Sequence, residues 1–230
     1  MPKLVLVPTP LGNLGDMTFR AVETLKGARL VAAEDSRRTA VLCKHFGVAT
    51  PVVAVHAHNE HRKLPELFDR FDDGVLAWVT DAGTPGVSDP GFLAVRAAIE
   101  RGWDVETLPG PTAFVPALVN SGLPIHRFCF EGFLPVKKGR QKRLESLKNE
   151  ARTMVFYESP YRVAKTLRDL TTLFGAERRA AVCREISKIY EQTLRGTLGE
   201  LTAIYENGVA KGEFVLVVAG HDPAADDGDI

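Results

Sequence analysis

Short apolar runs alternate along this chain with longer stretches in which apolar residues recur at helical spacing. "KLVLV" (3–7), "RLVAA" (29–33), "PVVAVH" (51–56), "VLAWVT" (75–80) and "DVETL" (104–108) are short and nearly continuous in hydrophobicity. Strands covered on both faces must look like this. Between them "MTFRAVETLKG" (17–27), the stretch from about Arg37 to Phe46, a segment near 61–72 and "FLAVRAAIERG" (92–102) read as helices. Gly27 and Gly47 stop the first two. A fifth helix starts near Thr112. Strand–helix units repeated in this way predict a parallel five-stranded sheet with helices on both faces.

Turn residues cluster at "NSGLPIHR" (120–127), and the pattern changes beyond them. "FCFEGF" (128–133) and "TMVFYE" (153–158) read as strands with a basic helix between them. A helix over 161–174, a strand over 179–184, an extended stretch near 189–196, a helix over 197–207 and a strand over 213–219 follow. "RRAAVCREISKIYEQTLRG" holds neighbouring strands with no long helix between them, so this second sheet is expected to be mixed. The predicted organisation is an α/β domain over residues 1–121, a second α/β domain over 122–220, and an acidic, disordered tail over 221–230.

Composition narrows the function classes. Lysine and arginine number 29, and aspartate and glutamate also 29, so a protein that coats nucleic acid by general positive charge is excluded and any such contact must be local. Cys43, Cys129 and Cys183 stand far apart without a C-x-x-C pair. They are expected to be free thiols in a reducing cytosol, packed as small hydrophobes. The start "MPKLVLVPTPLG" has too short an apolar run for a signal peptide, and no stretch reaches the length of a membrane span. A cytoplasmic location is expected.

In an open parallel sheet, ligands bind beyond the carboxyl ends of the strands. Here those ends carry "PTPLGNLGD" (8–16), "EDSRRT" (34–39), "HAHNEH" (56–61), "TDAGTPGVSDPG" (80–91) and "PGPT" (109–112). Structural βα turns also favour such residues, but five in succession suggest a loop-built site. No G-x-G-x-x-G follows the first strand and no G-x-x-x-x-G-K-[ST] occurs anywhere; Gly12 and Gly15 are wrongly spaced. A dinucleotide or triphosphate is therefore disfavoured. Loops that offer acids and backbone rather than lysines suit a less anionic ligand, such as an adenosyl group with a sulfonium-bearing amino-acid end.

Other features admit two readings each. His56, His58, His61 and Glu60 form either a metal site or, more ordinarily, a polar loop hydrogen-bonded with Asn59. Glu34, Asp35, Arg37 and Arg38 are either catalytic or a helix start in which Asp35 or Ser36 is the N-cap. "KKGRQKR" (137–143) sets five positive charges in seven residues with no acid among them, which points to a phosphate contact or to a solvated face. "VFYESPYR" (155–162) either closes a pocket or caps a helix.

Taken together, "VPTPLGNLGD" (7–16), "AAEDSRRT" (32–39), "HNE" (58–60), "DAGTPGVSDPG" (81–91), "LPGPTA" (108–113), "FEGFLP" (130–135), "FYES" (156–159), "REISK" (184–188) and "KGEFVLVV" (211–218) resemble the tetrapyrrole-methylase superfamily. More narrowly they resemble its ribosomal small-subunit cytidine 2′-O-methyltransferase (RsmI-type) family. The first loop departs from the G-x-G-x-G-D form of precorrin and uroporphyrinogen methylases. The resemblance implies two α/β domains with a ligand cleft between them, a homodimer, and S-adenosyl-L-methionine as cofactor. It implies donor contacts at Pro10, Leu11, Asp81, Gly83, Thr84, Val87, Thr112 and Ala113, and at Phe156 or Tyr157. The implied substrate is a cytidine ribose in the decoding region of small-subunit (16S) ribosomal RNA. Glu34, Asp35 and His58 are then the candidates for a base at the 2′-hydroxyl. Asn13 and Asn59 are candidates for orienting the nucleotide. Arg37, Lys137, Lys138, Arg140, Lys142 and Arg143 are candidates for phosphate contacts; no metal is expected. Two rival readings keep the fold. One gives the same donor a small-molecule acceptor, such as a tetrapyrrole or a modified amino acid, and the other is a non-enzymatic ribosome-associated binding module.

Overall fold

The computed structural model of the chain describes residues 1–56, 59–206, 208 and 210–222. The candidate His58 and most of the predicted acidic tail lie outside the described residues. The chain divides into two compact units, Met1–Thr112 and Ala113–Ile230.

In the first unit β1 (Lys3–Leu6), β2 (Leu30–Ala33), β3 (Val52–Ala54), β4 (Val75–Val79) and β5 (Asp104–Thr107) form one sheet in the order β3-β2-β4-β1-β5. Every pairing is parallel, with Leu4 opposite both Leu76 and Val105. Successive side chains of a strand point to opposite faces, and the core divides accordingly. Val5, Val7, Val31, Ala33, Ala77 and Val79 pack with α1 (Phe19–Gly27) and α2 (Ser36–Phe46) on one face. Leu4, Leu6, Ala32, Leu76 and Trp78 pack with α3 (Glu60–Asp69) and α4 (Phe92–Glu100) on the other. The inner strands β1, β2 and β4 are buried on both faces, as their continuous hydrophobicity required, whereas the edge strands β3 and β5 are only partly covered. Thr18 caps α1 by accepting the Ala21 N–H, and Gly47 ends α2 at φ 65°. β3 stops short of the expected residue 56 because the His56 carbonyl accepts the N–H groups of Asn59 and Glu60 instead.

The second unit opens with α5 (Phe114–Ser121), followed by β6 (Phe128–Phe133), α6 (Arg140–Leu147), β7 (Thr153–Glu158), α7 (Val163–Phe174), β8 (Arg179–Arg184), β9 (Gln192–Thr197), α8 (Leu198–Glu206) and β10 (Phe214–Val218). The strand order is β6-β7-β10-β8-β9. β6 and β7 run parallel, and the remaining neighbours are antiparallel. The sheet is mixed, as its missing crossover helices predicted. One face buries Met154, Phe156, Val182 and Leu216 against Leu144, Leu167, Leu170 and Leu201 of the helices. α5 packs on β8 and β10. Its Asn120 carbonyl accepts from Arg195 Nε at 2.7 Å, which places α5 in the second unit, whereas the turn cluster at 120–127 had suggested a boundary after it.

Candidate functional site

Strands β1 and β4 are neighbours, but their connections leave in opposite senses: β1 feeds α1 on one face of the sheet and β4 feeds α4 on the other. Such a switch point opens a crevice at the carboxyl ends of the strands. The loops around it are stitched by backbone. Thr9 N–H donates to the Gly83 carbonyl at 3.0 Å and Gly83 N–H to the Thr9 carbonyl at 2.8 Å. Thr9 Oγ1 donates to the Thr80 carbonyl at 3.1 Å. Thr84 Oγ1 donates to the Pro111 carbonyl at 3.0 Å, tying the fourth loop to the fifth.

Glycines permit this closeness. Gly83 has φ 79°, which L side chains rarely adopt, and a Cβ there would lie 3.4 Å from Leu11 Cδ2. A Cβ on Gly110 would lie 2.7 Å from Pro8 Cβ. Pro10, Leu11, Gly83, Thr84 and Thr112 are thus on loops joined around one crevice. Val87 belongs to the same fourth loop, its N–H donating to the Thr84 carbonyl. Ala113 opens the second unit.

Acids gather beside this loop cluster. β2 pairs with β4, so Glu34, just past β2, meets Asp81, just past β4, and Glu34 Oε2 accepts the Asp81 N–H at 3.5 Å. Arg38 donates to Asp81 Oδ2 at 2.7 Å. Asp81 Oδ1 is buried and has no hydrogen-bond partner among the described residues. A buried acceptor of this kind costs free energy unless something satisfies it.

Asp35 is differently employed. Its carboxylate caps α2 by accepting the Arg37 N–H at 2.9 Å, and it is gripped by both ends of the Arg37 guanidinium. That pairing holds the carboxyl at about 2, so it is a weak base at neutral pH. Arg37, with its side chain 89% exposed, is occupied by the same pair. Asn13 Oδ1 accepts the Gly15 N–H and so shapes the turn over Leu14–Asp16. Asn59 accepts the His56 N–H and pairs with the His56 ring at 2.9 Å.

Glu60, which the sequence offers as a metal ligand or as part of a polar loop, is 6% exposed. It faces the Gly91 N–H at the start of α4, and burial pushes its carboxyl upward. Among the described residues no group of three His, Cys, Asp or Glu side chains is placed to hold a metal ion. A carboxyl with a raised value stabilises the fold most when protonated, and that contribution is lost as pH rises through the raised value. Glu60→Gln is therefore expected to gain on the wild type, in thermal melts, as pH climbs through and above the ordinary carboxylate range. Parallel melting curves across that range would show that the burial of Glu60 has no such consequence.

In the second unit Phe156 lies wholly inside the core, leaving only its backbone for any ligand. Tyr157 points to the opposite face, in edge contact with Phe130 at 5.0 Å and Phe133 at 5.6 Å. The basic run separates into two kinds of residue. Arg140 is 6% exposed; it donates to Asp169 at 2.9 Å, to Thr166 Oγ1 at 2.8 Å and to the Pro135 carbonyl at 3.3 Å. A guanidinium so consumed is not available to RNA phosphate, which corrects the expectation for Arg140. Arg143 is engaged by Glu131. Lys137, Lys138 and Lys142 are exposed and form no ion pair among the described residues.

The model of the Tetrapyrrole (Corrin/Porphyrin) Methylases matches residues 3–202. The chain belongs to this family. Relatives named "Ribosomal RNA small subunit methyltransferase I" include that of Synechocystis sp., 50% identical over 96% of this chain and 80% of the relative. That of Escherichia coli O157:H7 is 44% identical over 98% of this chain and 80% of the relative. Among solved structures, diphthine synthase aligns with a TM-score of 0.74 at 13% identity, over 96% of this chain and 90% of that one. Uroporphyrin-III C-methyl transferase from Thermus thermophilus, complexed with S-adenyl homocysteine, aligns with a TM-score of 0.66 at 20% identity, over 94% and 97%. These two likenesses are of fold. In this tetrapyrrole methylase the strand-end loops fit S-adenosylmethionine. They offer a buried carboxylate oxygen with no hydrogen-bond partner among the described residues and backbone brought close by glycine, which suit a cationic, hydroxyl-bearing ligand better than a polyphosphate.

Proposed function

We propose that this protein uses S-adenosylmethionine to methylate the ribose 2′-oxygen of a cytidine in the decoding region of small-subunit (16S) ribosomal RNA, acting as a homodimer in the cytoplasm. The observation that carries the donor assignment is the stitched loop cluster at the β1–β4 switch point with the buried Asp81 oxygen inside it. The acceptor assignment rests on near half-identity to the ribosomal RNA methyltransferases over almost the whole chain.

When bound, the donor supplies an electrophilic methyl group on a sulfonium. Pro10, Leu11, Gly83, Thr84 and Val87 shape its cradle, with Thr112 and Ala113 following β5. Asp81, oriented by Arg38, presents negative charge there. Positioning for an in-line approach supplies much of the acceleration, and a cradle that excludes water favours a step in which charge is neutralised. Glu34 is the carboxylate that meets Asp81 from the neighbouring strand, and it is a better candidate base than Asp35, whose carboxylate Arg37 already holds. Lys137, Lys138 and Lys142 are available to contact phosphate.

The test is methyl transfer from labelled S-adenosylmethionine to small ribosomal subunits that lack the modification, with naked RNA and free tetrapyrrole as alternative acceptors. Label on a ribose 2′-oxygen is expected. Label on the tetrapyrrole instead would move the acceptor to small molecules, and failure to bind the donor would remove the enzyme reading.

A further inference from the structure

β6 and β7 are the parallel pair of the second sheet, so the loops that follow them emerge at the same end. The loop after β6 carries Lys137 and Lys138, and Lys142 follows on the first turn of α6. The loop after β7 is the turn Pro160–Tyr161–Arg162. A buried network pins the two loops together. Arg162 pairs with Glu158 at 2.8 Å and donates to the Leu134 carbonyl at 3.2 Å. Thr166 Oγ1 donates to Glu158 at 2.7 Å and accepts from Arg140, which also holds the Pro135 carbonyl. Above this scaffold stands Tyr161, 95% exposed, with no ring contact among the described residues. Phe133, at the end of β6, is about half exposed.

A fully solvated aromatic on a turn pinned by buried hydrogen bonds, at the same end of the sheet as three exposed lysines that form no ion pair among the described residues, is what an unpaired nucleotide strand recognises. Bases stack on the ring and phosphates follow the cations. The same lysines disfavour a second copy of the chain docking here face to face, since like charges would meet. From this geometry we infer that Tyr161 stacks a base of an unpaired RNA segment while Lys137, Lys138 and Lys142 hold its phosphates. This deepens the proposed function and rests on it.

The experiment compares Tyr161→Ala, Tyr161→Trp and Lys137→Gln/Lys138→Gln in the full chain. Three quantities are read for each: binding of an oligocytidine strand and of unmethylated small subunits, calorimetric binding of S-adenosylmethionine, and oligomeric state. Tyr161→Ala is expected to weaken RNA binding roughly tenfold and Tyr161→Trp to restore it, because stacking tolerates the change of ring. The double lysine variant is expected to lower the slope of log affinity against log salt by about 1.4, at about 0.7 for each phosphate that no longer meets a lysine. Donor binding is expected to stay unchanged throughout. RNA binding unaltered by Tyr161→Ala, or a change in oligomeric state in its place, would overturn the inference. A wild type that binds donor but methylates no RNA would instead overturn the proposed function.

Discussion

Gly110→Ala is expected to weaken S-adenosylmethionine binding by about tenfold or more, the equivalent of the roughly 1–3 kcal/mol that overpacking costs in a well-filled site. The added methyl would fall 2.7 Å from Pro8 Cβ and 3.0 Å from Pro8 Cγ. Neither side can yield cheaply. Pro8 is a closed ring between Val7, whose N–H donates to the Trp78 carbonyl, and Thr9, bonded twice to Gly83; on the other strand the Leu108 N–H is held by the Leu6 carbonyl. The strain must therefore pass into the loop over residues 109–112, whose Pro111 carbonyl anchors Thr84. Gly27→Ala is the matched control, because a Cβ there meets nothing within 4 Å. Isothermal calorimetry on both variants decides the matter; equal donor affinity for the two would mean that the fifth loop does not shape the cradle.

Arg140→Ala is expected to cost about 3 kcal/mol or more of stability, the usual result when one member of a buried ion pair is removed. Asp169 would be left without its main partner, Thr166 without its donor, and the Pro135 carbonyl without its hydrogen bond. Lys138→Gln, in the loop just before the same helix, is expected to shift stability by no more than about 0.5 kcal/mol. Urea denaturation reads both. Hydrogen exchange should also show the α6 and α7 amides of the arginine variant losing protection. If Arg140→Ala unfolds at the wild-type urea concentration, the buried network is not structural. The contrast also bears on any RNA-binding experiment that removes the whole basic run, because it would confuse a folding defect with weaker phosphate binding.

These cases mark what the sequence discloses. Strands and helices were legible to within a few residues, since continuous apolar runs, the 3.6-residue period and the glycine stops are local properties of the chain. Parallel and mixed sheets were legible from the presence or absence of intervening helices. The order β3-β2-β4-β1-β5 was not, because pairing is a long-range choice that no local pattern records. The allegiance of α5 was hidden for the same reason: its apolar face suits either sheet. The strand-end loops stood out in the sequence because their composition is unusual for mere turns. The employment of single charges inside them did not. Asp35 and Arg37 satisfy each other, Arg38 turns to Asp81, and Glu60 goes under Gly91. The cap at Asp35 was on offer in the sequence, but the Arg38–Asp81 pair depends on a partner far along the chain and the state of Glu60 on burial, and neither is written in the residue type. Arg140 is the clearest example. Five cations in seven residues look alike on paper, and one of them is a core residue.

The last strand of the second sheet, β10, lies in its middle, between β7 and β8. As the chain leaves the ribosome, the pairs β6–β7 and β8–β9 can each form early, but the two halves stay open to one another. Until Phe214–Val218 arrives, β7 and β8 each present a bare row of amide and carbonyl groups beside apolar side chains. Such edges invite pairing with other chains. A chain released without Phe214–Val218 would hold two half-sheets, each with an open edge, and no strand to join them.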